Sequence, residues 1–337
     1  MARWQRLAVS AGCLAVVVLL AVTLWYELEA HALGPPGHRV VLDVHQGEPF
    51  DTVLADLGAK GVVGSTLAFR LGDVLHGTPA VEPGFYAVRQ NSTFGEVRAI
   101  LSEGPNIFAV DVDPGITVRE VAAQVEQIPG HQNGSFALDA VNGAVRSPFE
   151  ATGSNNLEGL IGTGTYLVEP GETDAALLRQ MVARFDQQAA RAGLTAAGAG
   201  AVGMTPYQVV TIASIVEKEG YIPKNMPDVA RVIYNRLALG MALQMDSTVL
   251  YALGQDGGPV TPQDEQRQTP YNTYLNTGLT PTPICSPSED ALRAAVHPPA
   301  GQWLYFELVS KDGTLAFSDT YAGQLANENL AKQRGIG

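Results

Sequence analysis

Residues 205–220 read TPYQVVTIASIVEKEG and carry the signals of one complete helix. Thr205 is a good N-cap, Pro206 suits the first helical position, and Gly220 is a common residue just after a helix end. Apolar side chains cover nearly every side of the segment between them, as in a helix buried at the centre of a soluble domain. The sequence therefore predicts a central helix over Pro206–Glu219, around which a domain packs.

Two carboxyl side chains, Glu217 and Glu219, lie at the end of this predicted helix. An apolar setting and the negative pole of a helix both favour the protonated form of a carboxyl group, which is the form a general acid needs. Positions two apart on a helix differ by about 200° in direction, so both acids cannot face one cleft. The alternative is that both are surface acids at a frayed helix end.

Beyond this helix, the sequence predicts four further elements. These are a helix over residues 226–239, a short helix over residues 247–253 capped by Asp246, a helix from Pro287 to about Val296 opened by a capping box at residues 286–289, and a terminal hairpin of residues 303–308 and 314–318. The Ala- and Gly-rich residues 189–204 are expected to form a helix end and a connection.

The first half repeats one pattern four times: an alternating strand, a turn, then a helical run with apolar residues three and four apart. The four strands are expected around Val41, Tyr86, Val110 and Tyr166. A strand and an amphipathic helix that cover each other make an α+β arrangement. This pattern predicts the fold class and carries no chemistry by itself.

Residues 7–25 form an almost uninterrupted apolar run, long enough to cross a bilayer as a helix. It is longer than the core of a typical signal peptide, and no small-residue cleavage site follows it. Arg3 and Arg6 precede the run, which favours a cytoplasmic N-terminus. We therefore expect a tail at residues 1–6, a transmembrane helix at 7–26, a linker at 27–38 and an extracytoplasmic remainder.

Composition excludes several kinds of function. The formal net charge is −13, which argues against nucleic acid as a partner. Cys13 lies in the apolar run and Cys285 beyond it, so no internal disulfide is expected. No zinc-ligand spacing, phosphate-binding loop or Ser-His-Asp order is present, and we expect neither a metal nor a cofactor.

Polar and aromatic residues of the kind that bind carbohydrate follow the central helix. Amides suit sugar hydroxyl groups and aromatic faces suit sugar rings. The candidates are Asn235, Arg236, Gln244, Asp246, Tyr271, Asn272 and Tyr274.

Five motifs give the chain a close resemblance to the YceG-like family of endolytic murein transglycosylases. They are LEGL at residues 157–160 with Thr165-Tyr166, ASIVEKE at 213–219, VARVIYNRL at 229–237 with Gly240-Met241, LQMDSTV at 243–249, and PYNTY at 270–274. Two departures occur. The family usually has Gly-Tyr-Leu-Phe-Pro-Asp-Thr-Tyr where this chain has GLIGTGTY at residues 159–166, and a histidine common in the terminal hairpin is absent around Leu315.

The resemblance implies a catalytic glutamate in the ASIVEKE motif, matched to Glu217. Glu219, Ser214 and Glu158 lie in the same motifs and are expected to support it or to bind substrate. It also implies a LysM-like subdomain at residues 39–105 and a mixed α+β catalytic domain at 106–332.

The function that the resemblance implies is cleavage of the β-1,4 bond between N-acetylmuramic acid (MurNAc) and N-acetylglucosamine in nascent peptidoglycan. The products would carry 1,6-anhydro-MurNAc ends, and cleavage would terminate glycan elongation. The implied partners are glycan strands and the peptidoglycan synthesis machinery, and the implied location is the cell membrane. Two alternatives stay open: a lysozyme-like hydrolase, with Asp246 as a second carboxyl, and a membrane-anchored peptidoglycan-binding protein without activity.

Overall fold

A computed structural model describes residues 3–336 of the chain. It has a mixed α+β fold, as the sequence predicts, and divides into two compact units. Unit 1 comprises Met1–Ala109 with Leu167–Gly171, and unit 2 comprises Val110–Tyr166 with Glu172–Gly337.

Unit 1 begins with helix α1, Arg3–Ala30. Its stretch Ser10–Ala30 is apolar and long enough to cross a membrane, and its side chains as far as Leu24 are exposed. The expected tail, residues 1–6, begins with two residues outside the described range. The expected linker is helical as far as Ala30.

The rest of unit 1 is a two-stranded sheet with three helices. The elements are β1 Arg39–Val44, α2 Phe50–Ala59, α3 Thr66–His76, β2 Gly84–Arg89 and α4 Phe94–Glu103. The strands are antiparallel, with Arg39 opposite Arg89 and Val44 opposite Gly84. Alternate strand residues and one face of each helix form the core, which contains Leu42, Leu57, Phe69, Tyr86 and Leu101.

Strands β3 (Phe108–Val112) and β4 (Gly164–Val168) pair with each other. Helices α5 (Val118–Val125), α6 (Ser135–Asp139) and α7 (Asp174–Arg191) belong to unit 2. All four predicted strand–helix repeats are therefore confirmed, and their strands pair two by two.

The remainder of unit 2 is mostly helical. It contains α8 Ala196–Ala201, α9 Pro206–Glu219, α10 Met226–Ala238, α11 Asp246–Leu253, a 3-10 turn Asp264–Gln266, α12 Glu289–Val296, the hairpin β5 Tyr305–Leu308 and β6 Leu315–Ser318, and α13 Tyr321–Gln333. Helix α9 packs against α8, α10, α11 and α12. Its eight residues 209–216 are all buried, which confirms the predicted central helix.

Three local expectations need correction. Helix α12 starts at Glu289, because Ser288 is the N-cap and its side chain accepts a hydrogen bond from the Ala291 N–H. Asp246 is the first residue of α11 and does not cap it. Part of the Ala- and Gly-rich connection forms α8, whose N-cap is Thr195.

Candidate active site

Two cavities in unit 2 share three residues, and we call them together the central cleft. The first, about 340 Å³, is lined by Thr117, Arg119, Lys218, Tyr251 and Asp256 among others. The second, about 410 Å³, is lined by Arg236, Gln244, Tyr274, Tyr305 and Glu307 among others. Both are also lined by Glu219, Tyr221 and Asp246, so these three residues mark the place where the cavities adjoin.

The end of α9 places Glu219 at this junction. Glu219 is the last helical residue, and the Gly220 N–H closes the final turn on the Val216 carbonyl at 2.8 Å. A Cβ at Gly220 would lie 2.7 Å from Met226 Cγ, so a glycine lets the chain turn tightly here. Tyr221 then takes a positive φ of 58° as the chain leaves the helix.

Ser247, at the start of α11, fixes the Glu219 carboxyl group. Its hydroxyl donates to Glu219 Oε1 at 2.7 Å, and its backbone N–H donates to the same oxygen at 3.2 Å. Burial raises the pKa of Glu219, the hydrogen bonds from Ser247 oppose that rise, and the nearby Asp246 charge adds to it. The carboxyl is thus held in place and biased towards its protonated form.

Glu217 has a different environment, as expected from its position two residues earlier on the helix. Its Oε2 accepts a hydrogen bond from the Ser288 backbone N–H at 2.7 Å, at the N-terminus of α12. Glu217 lines neither cavity of the central cleft. A carboxylate that accepts a helix N-terminal N–H stabilises the packing of α9 against α12.

Asp246, Gln244 and Tyr274 line the cleft. Asp246 is exposed and accepts a hydrogen bond from the Tyr274 hydroxyl. The Gln244 backbone has a positive φ of 50° and its N–H donates to the Thr273 carbonyl at 3.0 Å. Its exposed side chain is available to a ligand.

Asn272 does not line the cleft, contrary to the expectation from sequence. It is fully buried, and its amide donates to the backbone carbonyls of Glu265 and Arg267 at 2.8 and 2.9 Å. Its Oδ1 accepts the Tyr274 N–H at 2.9 Å. Asn272 therefore fixes the loop that presents Tyr274.

Asn235 and Ser214 also stabilise the surrounding structure. Asn235 donates to the carbonyls of Gly301 and Trp303 at 3.2 and 2.8 Å, before the terminal hairpin. The buried Ser214 hydroxyl accepts the Ile284 N–H at 3.0 Å. Both are thus expected to act on the site through the packing around it.

Glu158 and Tyr271 lie behind the first cavity. Glu158 is buried and accepts hydrogen bonds from the Val118 N–H at 3.1 Å and the Tyr251 hydroxyl at 3.2 Å. Burial raises the pKa of Glu158 to about 7. Tyr271 packs its ring 5.0 Å from that of Tyr251, and its hydroxyl bonds to Thr282. Together they support Tyr251, which lines the cleft.

Sequence reasoning missed Ser247 as a site residue, although it lies in one of the quoted motifs, whereas Arg236 was among the candidates for binding carbohydrate. The Arg236 Nε donates to the Leu304 carbonyl at 2.6 Å, and the guanidinium lies 5.3 Å from the centre of the Tyr305 ring. Burial lowers the pKa of Arg236, while Tyr305, Tyr274 and Glu219 oppose that change. Serine is common in any motif, so only the position of Ser247 beside Glu219 reveals its role.

The model of the YceG-like family matches residues 42–330. The chain belongs to the YceG-like family. A relative from Bacillus subtilis, named endolytic murein transglycosylase, is 26% identical over 88% of this chain and 85% of its own length. A Streptococcus pneumoniae relative with the same name is 25% identical over 83% of this chain, which covers only 56% of that longer protein.

A YceG-like protein from Listeria monocytogenes provides a structural comparison. Its crystal structure superposes with a TM-score of 0.57 at 23% identity, covering 86% of this chain and 99% of the other. At this identity the likeness supports the fold alone.

Proposed function

We propose that this YceG-like protein is an endolytic murein transglycosylase, as its relatives in Bacillus subtilis and Streptococcus pneumoniae are named. The observation that carries the proposal is the carboxyl of Glu219. It lies where two cavities meet, and burial raises its pKa. A glycan running through both cavities would pass this group, as an enzyme that cuts within a strand requires.

We assign the role of acid to Glu219 in place of Glu217, which the sequence resemblance suggested. The motif has two glutamates, and only Glu219 lines the cleft. Glu217 uses one oxygen to accept the Ser288 N–H. A general acid must come within hydrogen-bond reach of the atom it protonates, and Glu219 meets that requirement for a ligand in the cleft.

In the proposed reaction, protonated Glu219 donates its proton to the β-1,4 oxygen as the bond from that oxygen to C1 of MurNAc breaks. The resulting carboxylate then takes the proton of the MurNAc 6-hydroxyl, and that oxygen bonds to C1. Glu219 ends the cycle protonated, the product has a 1,6-anhydro end, and no water is consumed. One carboxyl can serve both steps because the nucleophile belongs to the substrate.

The second cavity suits a glycan strand. The aromatic side chains of Tyr221, Tyr274, Tyr305 and Tyr321 line it and provide flat faces for sugar rings. The side chain of Gln244 adds an amide for hydroxyl or N-acetyl groups. Asp246 also lines the cleft, so a hydrolytic reaction with two carboxyls is the alternative that product analysis must exclude.

The proposal includes the membrane setting. Helix α1 would anchor the chain with its N-terminus in the cytoplasm, residues 39–105 would form a LysM-like subdomain, and residues 106–332 would form the extracytoplasmic catalytic domain. An enzyme held there meets nascent strands as they leave the synthesis machinery, and cutting them would terminate elongation.

Product analysis tests this function directly. Purified full-length protein in detergent is incubated with uncrosslinked peptidoglycan, and the new ends are identified by mass spectrometry. We expect internal cleavage with anhydro-MurNAc ends, each one water lighter than a reducing end. Reducing ends would establish hydrolysis, and binding without new ends would establish a non-catalytic protein.

A further inference from the structure

Helix α3 carries an apolar stripe on its solvent-facing side. Leu67, Leu71, Val74 and Leu75 are 69%, 39%, 82% and 70% exposed. Their spacing of four, seven and eight residues places them on one face of the helix. Isolated exposed leucines are ordinary, but four together on one helix face are a contiguous apolar patch of the kind that marks an interaction surface.

The other faces of α3 are already used within unit 1. Ala68 and Phe69 are fully buried in the core. Asp73 pairs with Arg98 of α4, and Arg70 pairs with Asp51 of α2 at 2.8 Å. The helix is thus fixed to its own subdomain by a buried face and by ion pairs, and the apolar stripe is left over.

The end of α1 packs against the same helix. A Cβ built on Gly72 of α3 would lie 2.9 Å from the Tyr26 hydroxyl oxygen, so the two helices touch at this point. The Tyr26 ring also packs edge-on against Phe94 at 6.2 Å, and Trp25 and Ala30 pack against the core of unit 1. The end of the apolar helix is therefore packed directly against this subdomain.

Tyr26 therefore gives the depth of α3 relative to a bilayer. Trp25 ends the apolar run and Tyr26 follows it, and aromatic residues at that position lie at the level of the lipid headgroups. Because Gly72 lies against Tyr26, the middle of α3 is near the same level. Leu28 of α1, 45% exposed, and Leu33, 77% exposed, extend the apolar surface near this end of the anchor.

We propose that the α3 stripe inserts into the headgroup–acyl boundary of the outer leaflet. Unit 1 would then contact the membrane through α3 as well as being anchored in it by α1. This inference rests on the proposed membrane anchor. An interfacial helix of this kind buries its apolar face by several ångströms and adds binding energy in proportion to apolar area. The second contact would fix the orientation of unit 1 on the bilayer.

Nitroxide labels in the full-length protein, reconstituted into phosphatidylcholine–phosphatidylglycerol vesicles, test the proposal. Cys13→Ala removes the exposed native thiol, and Cys285 is buried. Labels are placed at Val74→Cys and Leu67→Cys on the stripe. His76→Cys is the matched control, because His76 is exposed at the end of the same helix and, nine residues after Leu67, points to the opposite side from the stripe. Val18→Cys within the apolar run reports the anchor.

At each position we would measure how often the nitroxide collides with oxygen, which partitions into lipid, and with a nickel chelate, which stays in water. The ratio of the two collision rates reports whether the label lies in lipid or in water. We expect the ratio of oxygen to nickel collisions at positions 67 and 74 to exceed the ratio at position 76 several-fold and to approach that at position 18. Water-like ratios at 67 and 74, with lipid-like values at 18, would overturn the docking and leave the anchor intact. Protection from both reagents would overturn it in favour of a protein contact. A water-like ratio at 18 would refute the anchor itself.

Discussion

Replacing Glu158 with glutamine should change how the stability of unit 2 depends on pH. The carboxyl is 6% exposed, and burial raises its pKa from the ordinary value of 4.5 to about 7. Between these values the unfolded chain ionises this group while the folded chain keeps its proton. The contribution of Glu158 to the free energy of unfolding therefore falls as pH rises through that window, is highest below about pH 4.5, and levels off above about pH 7.

The size of the effect follows from the difference of about 2.5 pH units. At about 1.4 kcal/mol per unit, Glu158 alone lowers stability by about 3 kcal/mol across the window. Glu158→Gln has no ionisable group there and can still accept the Val118 N–H, so it should lack this decline. Asp113→Asn, at an exposed carboxyl of the same unit, is the control and should keep the wild-type slope.

Hydrogen exchange of amides in α9, measured against denaturant concentration from pH 4.5 to 8, gives the stability of unit 2 separately from unit 1. The slopes of wild type and Glu158→Gln should differ by the amount above. Parallel curves for the two proteins would show that Glu158 does not hold its proton in the folded state.

Three further substitutions test the framework around the cleft. Gly159→Ala should lower the melting temperature by several degrees, because residue 159 has a φ of +74° and the new Cβ would lie 2.3 Å from Pro283 Cβ; unchanged melting would contradict the geometry. Asn225→Ala removes the side-chain amide that donates to the Gly220 and Gly313 carbonyls at 2.8 and 2.7 Å, and should lower the free energy of unfolding in denaturant by about 2 kcal/mol. Asn225→Asp should not restore stability, because a carboxylate cannot donate these hydrogen bonds. Ser247→Ala removes a hydrogen bond that lowers the pKa of Glu219, so the alkaline limb of the pH–rate profile should move to higher pH. An unchanged limb would show that Ser247 does not influence the catalytic acid.

Local signals predicted the central elements well. The bounds of α9 follow from Thr205, Pro206 and Gly220, whose capping roles depend on neighbours within one turn. The strand–helix repeats follow from periodicity in the same way. Helix α3 was not predicted, because its leucines and Val74 face outward and its buried face contains only Ala68, Phe69 and Gly72, which do not produce a regular inward stripe.

The roles within the site depend on contacts between distant parts of the chain. Sequence could say that Glu217 and Glu219 face opposite ways, but not which of them faces the cleft. That choice depends on Ser288, which comes 71 residues after Glu217 and donates its backbone N–H to the Glu217 side chain. The same holds for Asn272, whose burial depends on the path of its own loop.

A paired comparison of Glu219→Gln with Glu217→Gln distinguishes Glu219 from Glu217 as the acid. Both variants are nearly isosteric with wild type and differ only in which side of α9 loses its carboxyl group. Anhydro-end formation on a defined uncrosslinked glycan is measured alongside the melting temperature of each variant. We expect Glu219→Gln to melt near wild type without detectable cleavage, and Glu217→Gln to melt lower but to retain cleavage at temperatures where it is folded. Cleavage by Glu219→Gln, or a fully folded Glu217→Gln without activity, would contradict the assignment of Glu219 as the acid.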